Sequence, residues 1–268
     1  MEKINLLNIN FSISNLEKIL NEVIELLKEN NKFYICFPNA YLTVVANEQK
    51  KLLDILNSAK FVLPDGMPLI WYSKTFKKSL YSRISGYDFF YNFSKVANEE
   101  GYTYFFLGGE SKEVVLKIIE RLNKDFKNIK VKGFFVPPFS ESFSEEINNK
   151  IIEKINGCKP DILWVGLSAP KQEIWIYENL GRLNIKMACG IGAVFNFYSG
   201  QIKRAPIWMQ KVGLEWLYRL CSEPKRLFKK YLIYNTKFVI LILRDLVKRF
   251  CSIYKKKFNK NSISTLSS

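Results

Sequence analysis

The chain has 268 residues, 48% of them hydrophobic, which is enough for one large buried core and an additional segment. It contains no histidine, which excludes a histidine-based catalytic triad, histidine metal ligands and a histidine general base. Its five cysteines are odd in number and scattered, without a Cys-x-x-Cys pair. This pattern is typical of reduced thiols in a cytoplasmic protein and argues against a disulfide scaffold or a zinc site.

The formal net charge of +16 is distributed unevenly. From Lys203 onward there are 16 basic and 3 acidic residues, so a nearly neutral body precedes a strongly basic segment. Such a segment favours contact with an anionic partner, either a membrane surface or nucleic acid. No signal peptide is expected at the N-terminus, and the longest apolar run in the basic segment, residues 238–243, is far shorter than the ~20 residues of a spanning helix.

Apolar runs alternate with helical patterns along the chain. The predicted strands cover residues 3–13 (a strand or hairpin), 33–37, 61–63, 102–107, 129–135, 162–165 and 186–189. The predicted helices cover residues 14–30, opened by a capping box at Ser14, then 40–59 in one or two pieces, 67–76, 83–100, 111–123 and 145–156, with a further helix from Ser168. This alternation over about 190 residues predicts a parallel sheet with helices on both faces.

We therefore expect an α/β fold with a Rossmann-like, mostly parallel sheet flanked by helices, and a basic amphipathic helical C-terminal appendage. The predicted body covers residues 1–202 and the appendage residues 203–258. Residues 259–268, rich in Asn, Lys and Ser, form a tail that we expect to be disordered.

Three polar side chains, Asn39, Asp65 and Gln172, follow predicted strands. The carboxyl ends of parallel strands share one edge, where ligands bind in open α/β sheets, so we expect the three to converge. Asp65 lies beside an apolar strand, and partial desolvation would raise its pKa as a base near neutral pH requires. A simple Pro-Asp-Gly turn is the alternative at this position.

The stretch around Gln172 has the form of a strand, a loop and a helix start. Ser168 is a candidate cap and Pro170 suits the first turn, where free N–H groups and the helix dipole attract anions. An ordinary strand–loop–helix unit with a surface Lys-Gln-Glu sequence is the alternative.

Two glycine-rich turns allow the backbone to approach a phosphate, one at Gly108 and Gly109 and one that includes Gly192. Neither completes Gly-x-Gly-x-x-Gly, so a nicotinamide-dependent oxidoreductase is only weakly supported. No Asp-x-Asp sequence follows a strand, so we predict no metal-bridged sugar diphosphate. Arg83 is a candidate for a bidentate diphosphate contact, or is simply a solvated loop arginine.

The basic segment contains two helical patterns, residues 205–221 and 225–250, separated by Pro224. The second carries an apolar stripe in steps of four and three, flanked by basic residues, and the stripe consists of Leu227, Tyr231, Tyr234, Phe238 and Leu241. Such a helix lies well in an anionic bilayer interface, with each Lys or Arg contributing about 1 kcal/mol, so we expect the stripe to contact a membrane. Packing against the domain or a second subunit is the alternative.

Several motifs occur in a fixed order. They are Pro64-Asp65-Gly66-Met67, Arg83-x-x-Gly86-x-Asp88, Leu107-Gly108-Gly109, Pro170-Lys171-Gln172-Glu173, Gly190-Ile191-Gly192-Ala193, Arg204-Ala205-Pro206, Gly213-Leu214-Glu215-Trp216 and Glu223-Pro224-x-Arg226. Together they resemble the WecG/TagA/CpsF glycosyltransferase family over residues 6–231.

The resemblance implies an inverting, metal-independent glycosyltransferase without a cofactor. Its donor would be a UDP-sugar, with N-acetylmannosamine or a related sugar, and its acceptor a polyprenyl-diphosphate-linked sugar, in envelope polysaccharide or teichoic-acid synthesis. The appendage would attach the enzyme peripherally to an anionic membrane surface at the cytoplasmic face, and a homo-oligomer is a further candidate partner. The alternative is a basic nucleic-acid-binding α/β protein, for which the sequence carries no known motif.

The same resemblance implies roles for individual residues. Asp65 would be the general base, Asn39 and Gln172 would position substrate, and Arg83 would contact substrate or diphosphate. The appendage arginines Arg219 and Arg226 would close over the site and bind the diphosphate, because negative charge builds on the departing UDP.

The sequence departs from the family pattern at a few positions. Asn196 stands where an aspartate is common, so no carboxylate role is assigned there. Ser168 and Ala169 replace a Gly-Ser type turn, and Pro68 replaces a common glycine. These differences leave the donor sugar open.

Overall fold

The structure is a computed structural model that describes the backbone of residues 1–29 and 31–264, and their side chains apart from Arg226 and residues 252–264. The strands are β1 (Lys3–Leu6), β2 (Ile9–Ser12), β3 (Phe33–Cys36), β4 (Phe61–Val62), β5 (Thr103–Gly108), β6 (Lys130–Phe135), β7 (Ile162–Gly166) and β8 (Met187–Gly190). The helices are α1 (Leu16–Lys28), α2 (Ala40–Glu48), α3 (Lys50–Ser58), α4 (Met67–Ser73), α5 (Gly86–Glu100), α6 (Lys112–Asp125), α7 (Glu145–Cys158), α8 (Lys171–Asn179), α9 (Val194–Tyr198), α10 (Ile207–Lys211), α11 (Glu215–Ser222) and α12 (Pro224–Ser264).

Six strands form one parallel sheet in the order β4-β3-β8-β7-β5-β6, while β1 and β2 form a separate antiparallel hairpin. The side chains of β3 and of residues 162–165 in β7 are buried throughout, as expected for strands covered on both faces. The predicted parallel, Rossmann-like sheet is confirmed. The chain leaves β5 toward β6 and leaves β7 in the opposite direction toward β8, so the connections diverge between β5 and β7. Such a divergence opens a crevice at the carboxyl ends of the strands.

Helices cover both faces of this sheet. One core contains side chains from α1, α5, α6 and α9, and the other contains side chains from α2, α3, α7 and α8. Trp164 of β7 is central to the first core, with its ring 4.9 Å from that of Phe90 and 5.4 Å from that of Tyr104, both edge-on. Edge-on aromatic pairs contribute about 1 kcal/mol beyond their buried area. This packing anchors α5, whose first turn reaches the carboxyl edge of the sheet.

Helix α1 starts one residue later than the predicted capping box. Asn15, rather than Ser14, is the N-cap, because its Oδ1 accepts a hydrogen bond of 2.9 Å from the Lys18 amide. Asparagine and serine are similarly good N-caps, so the sequence pattern alone did not separate them.

The segment predicted as one helix over residues 205–221 is instead two short helices, α10 and α11. The chain turns at Gly213, which has a positive φ of 73°. A Cβ at this position would lie 2.7 Å from the Trp71 ring and 2.9 Å from Cβ of Met67, so the close approach to α4 requires glycine. The break brings α11 back over the carboxyl edge of the sheet.

Helix α12 packs the predicted apolar stripe against the body. Phe238 is only 3% exposed, and Tyr234 packs edge-on against Tyr41 of α2 with ring centroids 4.6 Å apart. Lys237 Nζ adds an ion pair of 2.7 Å with Glu48. The expectation that this stripe contacts a membrane is therefore wrong, and the alternative of packing against the domain is correct. The physical reason is that α2 offers an apolar, aromatic surface on which the stripe is buried.

The opposite face of α12 carries a second series of apolar side chains that are exposed. We call this series the outer face, and it consists of Phe228, Leu232, Val239, Leu243, Val247 and Phe250. Within the described part of the chain, no helix is both long and apolar enough to cross a membrane. The helix continues to Ser264, past the predicted start of the tail at residue 259, and residues 265–268 lie outside the described residues.

Candidate active site

The predicted site residues of the body lie at one edge of the sheet. Asn39 follows β3, Asp65 follows β4, the Gly108-Gly109 turn ends β5, and Gln172 and Gly192 follow β7 and β8. Hydrogen bonds join neighbouring strand ends directly, from the Asp65 amide to Pro38 O at 2.9 Å and from the Gly109 amide to Gly166 O at 3.0 Å. The structure thus brings together side chains far apart in sequence.

The side chain of Asp65 is partly exposed to solvent, and its pKa is shifted from the ordinary value of an aspartate. Its side chain is 32% exposed and lies 4.0 Å from Nη1 of Arg83. Burial raises the pKa of Asp65 to about 7; the Arg83 guanidinium opposes this shift, and the Glu215 and Asp88 carboxylates reinforce it. A carboxyl group with a pKa near neutrality is suited to accept a proton under physiological conditions.

Arg83 belongs to a closed ring of four charged side chains, which we call the ion-pair ring. Its Nη1 donates to Glu215 Oε2 at 2.7 Å, and its Nη2 donates to Asp88 Oδ2 at 3.3 Å. Arg204 completes the ring through Asp88 Oδ1 at 2.8 Å and Glu215 Oε1 at 3.3 Å. The guanidinium of Arg83 is thus held by protein carboxylates, and its predicted diphosphate contact stays a prediction.

Gln172 is buried and holds the turn after β8. Its Oε1 accepts a hydrogen bond of 3.1 Å from the Gly192 amide, and a Cβ at Gly190 would lie 2.9 Å from the Gln172 side chain. A side chain at Gly190 or Gly192 would therefore displace the side-chain amide of Gln172. The contacts give Gln172 a supporting role in the turn, and its predicted role toward substrate stays a prediction.

Helix α8 starts differently from the sequence prediction. Pro170 is its N-cap, no side chain caps it, and Ser168 adopts a positive φ of 64°. The predicted hydroxyl cap at Ser168 is therefore wrong, because this backbone conformation puts the proline at the cap position. The carbonyl of Ser168 instead accepts from the Gln172 amide at 3.1 Å.

Glu173 is a buried carboxyl group that sequence reasoning noted only as part of a motif. It is 2% exposed, its Oε1 accepts from Gln172 Nε2 at 2.9 Å, and its Oε2 has no hydrogen-bond partner. Burial raises the pKa of Glu173 to about 7, although the Gln172 hydrogen bond opposes the shift. The amphipathic pattern gave no signal, since an acidic residue in the first turn of a helix is usually exposed.

The glycine turn after β5 and the side chain of Asn39 have structural functions of their own. Gly108 has a φ of 101°, and a Cβ there would lie 2.5 Å from Gly166 O. The backbone approaches the neighbouring strand so closely that only glycine fits. Asn39 is exposed at the edge and caps α2, with its Oδ1 accepting from the Leu42 amide at 3.0 Å.

The appendage also reaches α9, the helix that follows β8, through Arg219 of α11. The Arg219 guanidinium lies 5.3 Å from the centre of the Phe197 ring, and its buried Nε has no hydrogen-bond partner. The side chain of Arg226 lies outside the described residues, so its predicted contact with the diphosphate stays a prediction.

An open cleft of about 620 Å³ separates the turn after β5 from the start of α12. It is lined by Glu110, Gln201, Ile202, Glu223, Pro224 and Lys225. Asn196 donates to Glu110 Oε1 at 2.6 Å beside it, so this position carries an amide with a carboxylate partner. Across the described residues, no group of three or more Cys, Asp or Glu side chains is arranged to hold a metal ion.

Comparison with known proteins identifies the family. The family model described as the glycosyl transferase WecG/TagA/CpsF family matches residues 4–251. The chain belongs to the WecG/TagA/CpsF glycosyltransferase family. The match includes the body, α10 and α11 and most of α12, and confirms the resemblance predicted from the ordered motifs. It leaves the nucleic-acid-binding alternative without support.

Relatives of this family member carry a more specific name. A Bacillus spizizenii (strain W23) protein is 33% identical over 200 residues, which is 75% of each chain. A Bacillus subtilis (strain 168) protein is 30% identical over 207 residues, or 77% of each chain. A Staphylococcus aureus (strain MW2) protein is 24% identical over 227 residues, covering 84% of this chain and 87% of the relative. Each is named N-acetylglucosaminyldiphosphoundecaprenol N-acetyl-beta-D-mannosaminyltransferase.

The buried carboxyl group of Glu173 makes the stability of this family member depend on pH. Its pKa is about 7 in the folded chain and 4.5 in its ordinary state, so the folded state binds more protons between these values. The free energy of unfolding should therefore fall as pH rises from about 4.5 to about 7, by about 3 kcal/mol from this group. Glu173→Gln should remove that component, as measured by urea unfolding between pH 4.5 and pH 8.

The exposed Glu153→Gln is the matched control and should leave the pH dependence as in the wild type. Stability curves for wild type and Glu173→Gln that run parallel across this range would show that Glu173 is not protonated on folding.

Proposed function

We propose that the chain transfers N-acetylmannosamine, or a closely related sugar, from a UDP-sugar to a polyprenyl-diphosphate-linked N-acetylglucosamine. The acceptor and the transferred sugar follow from the names of the relatives, which are similar over three quarters or more of this chain. The observation that carries the proposal is the partly exposed Asp65 at the carboxyl edge, whose pKa is raised to about 7.

Asp65 acts as the general base in this mechanism. Its carboxylate removes the proton of the acceptor hydroxyl as that oxygen attacks the anomeric carbon of the donor. The new C–O bond forms while the bond to UDP breaks, and the proton remains on Asp65 until solvent removes it. A single displacement of this kind inverts the anomeric configuration. The chain has no histidine, which leaves a carboxylate as a natural group for this task.

Protein cations and backbone N–H groups stabilise the leaving UDP. Arg219 supports this assignment because its guanidinium has a buried Nε without a partner, next to α9 at the end of β8. Arg226 lies close behind it in sequence, and the N-terminus of α8 adds a favourable dipole at the same edge. Fixed positive charges aimed at the departing diphosphate lower the barrier because charge develops there during reaction.

The appendage attaches the enzyme to the cytoplasmic face of the membrane, where a polyprenyl acceptor is anchored, in envelope polysaccharide or teichoic-acid synthesis. The outer face of α12 supports this location, because its apolar side chains are exposed along several turns. Exposed basic residues lie on the same helix, among them Lys225, Lys229, Arg244 and Lys248. An exposed apolar series on a helix with exposed cations suits an anionic bilayer interface.

Asp65→Asn should abolish transfer with little effect on folding, because the amide keeps the shape but cannot take up the proton. We expect UDP release with a polyprenyl-diphosphate N-acetylglucosamine acceptor to fall by about 100-fold or more. Wild-type kcat/KM should fall as pH drops below about 7, since protonation of Asp65 removes the base. A panel of UDP-sugars identifies the donor.

The matched control is Asp54→Asn, which changes an exposed aspartate in the middle of α3. Full activity of Asp65→Asn would rule out Asp65 as the base. Failure of every UDP-sugar with the wild-type enzyme would reject the proposed donor class.

Membrane binding should depend on the outer face of α12. Leu232, Leu243 and Val247 are each more than half exposed, so replacing all three by serine should not disturb the core. Loss of their apolar area should weaken binding to phosphatidylglycerol-containing vesicles by about 10-fold or more. Co-sedimentation at two salt concentrations measures both the apolar and the electrostatic contributions.

Leu116→Ser on α6 removes an exposed leucine from a different surface and should bind vesicles like the wild type. Equal binding by the triple variant and the wild type would exclude the outer face as the membrane contact.

A further inference from the structure

The ion-pair ring joins the body of the enzyme to the appendage at the edge that carries Asp65. Arg83 and Asp88 belong to the loop before α5 and to its first turn, whereas Arg204 and Glu215 lie beyond the predicted boundary at residue 202. Arg83 Nη1 is shared between the two parts, at 2.7 Å from Glu215 Oε2 and 4.0 Å from Asp65 Oδ1.

Neighbouring groups fix the geometry of the ring. Ser85 caps α5 by accepting from the Asp88 amide at 3.1 Å, and its hydroxyl donates to Asp88 Oδ2 at 2.7 Å. The Arg204 guanidinium donates to Ser85 Oγ at 3.1 Å and stacks 4.6 Å from the centre of the Tyr87 ring. The ring is therefore built into the start of α5, which the aromatic core holds in place.

Gln210 of α10 gives the ring a second link to the appendage. Its Oε1 accepts from Arg83 Nη2 at 3.2 Å, while its Nε2 donates to Ala205 O at 2.7 Å. Arg83 thus has three partners other than Asp65, two of which lie in the appendage. Without α10 and α11, Asp88 would be the one of these three partners left to Arg83.

The ring also balances charge around Asp65. Two arginines and two carboxylates give a formal sum of zero, and all four affect the pKa of Asp65, the arginines lowering it and the carboxylates raising it. An unbalanced guanidinium 4.0 Å away would stabilise the Asp65 carboxylate and weaken it as a base. Ion pairs with Glu215 and Asp88 offset that effect while keeping the arginine in place.

We propose that Arg204 and Glu215 are positioning residues for the transfer reaction. They hold Arg83 beside Asp65 and, together with Asp88, balance its charge, so that the guanidinium keeps its place without suppressing Asp65 as a base. This inference rests on the proposed function of Asp65 as the general base. Arg204 and Glu215 both belong to the ordered motifs, and neither has another role in the proposed reaction.

The test changes the ring charge in opposite directions. Glu215→Gln leaves a net charge of about +1, and the acidic limb of the pH profile of kcat/KM should move to lower pH by about one unit. Arg204→Gln leaves about −1 and should move the limb to higher pH by a similar amount. The double variant restores balance and should return the limb to its wild-type position. A role confined to folding would lower activity without these opposite shifts.

The pKa of the Asp65 carboxyl group can also be measured directly in the same variants by ¹³C NMR, in the absence of substrate. The Asp65 signal is assigned by its loss in Asp65→Asn. If the titration shifts oppositely in the two variants while the kinetic limb stays still, Asp65 is not the base and the proposed function fails. If the titration does not move, or moves in the same direction in both, the ring inference is overturned whatever the activity.

Should Arg204→Gln fail to fold, Glu215→Asp serves as the comparison with Glu215→Gln. The aspartate keeps the charge and should keep the Asp65 titration near the wild-type value, whereas the glutamine should lower it. Equal titration in these two variants would also overturn the inference.

Discussion

All six strands of the central sheet run in the same direction, and the candidate site depends on this constraint. Parallel strands place their carboxyl ends at one edge, so turns separated by up to about 150 residues of sequence meet there. The close pairing of β5 with β7 then requires glycine at residue 108. Asp65 gains its raised pKa because it lies at this edge between a buried strand and the ion-pair ring.

The appendage supplies two of the four side chains of the ion-pair ring beside Asp65. Its long helix buries one face against α2, through Tyr234 and Phe238, and exposes the other. Its short helix α11 carries Glu215 to Arg83 and Arg219 to Phe197. The same segment therefore has one surface packed on the body and one exposed surface, and the exposed surface is the proposed membrane contact.

Much of the fold was predictable because its signals are local. Strand and helix order, the parallel sheet and the shared edge of Asn39, Asp65 and Gln172 follow from apolar runs and turn residues. The orientation of α12 was not predictable, since a basic amphipathic stripe suits a bilayer and a protein surface equally. The partners of Arg83 were also hidden, because Glu215 is 132 residues away in sequence and only tertiary folding brings them together.

The central claim is a single displacement at this edge, with Asp65 as base and protein cations on the leaving diphosphate. Its most direct test is the anomeric configuration of the product. The reaction is run in EDTA with a donor whose sugar is α-linked to UDP, and the one-bond C1–H1 coupling constant of the product gives the configuration. The account predicts a β-linked product at an undiminished rate. An α-linked product would contradict the single displacement, and a loss of activity in EDTA that Mg²⁺ restores would contradict the role assigned to the protein cations.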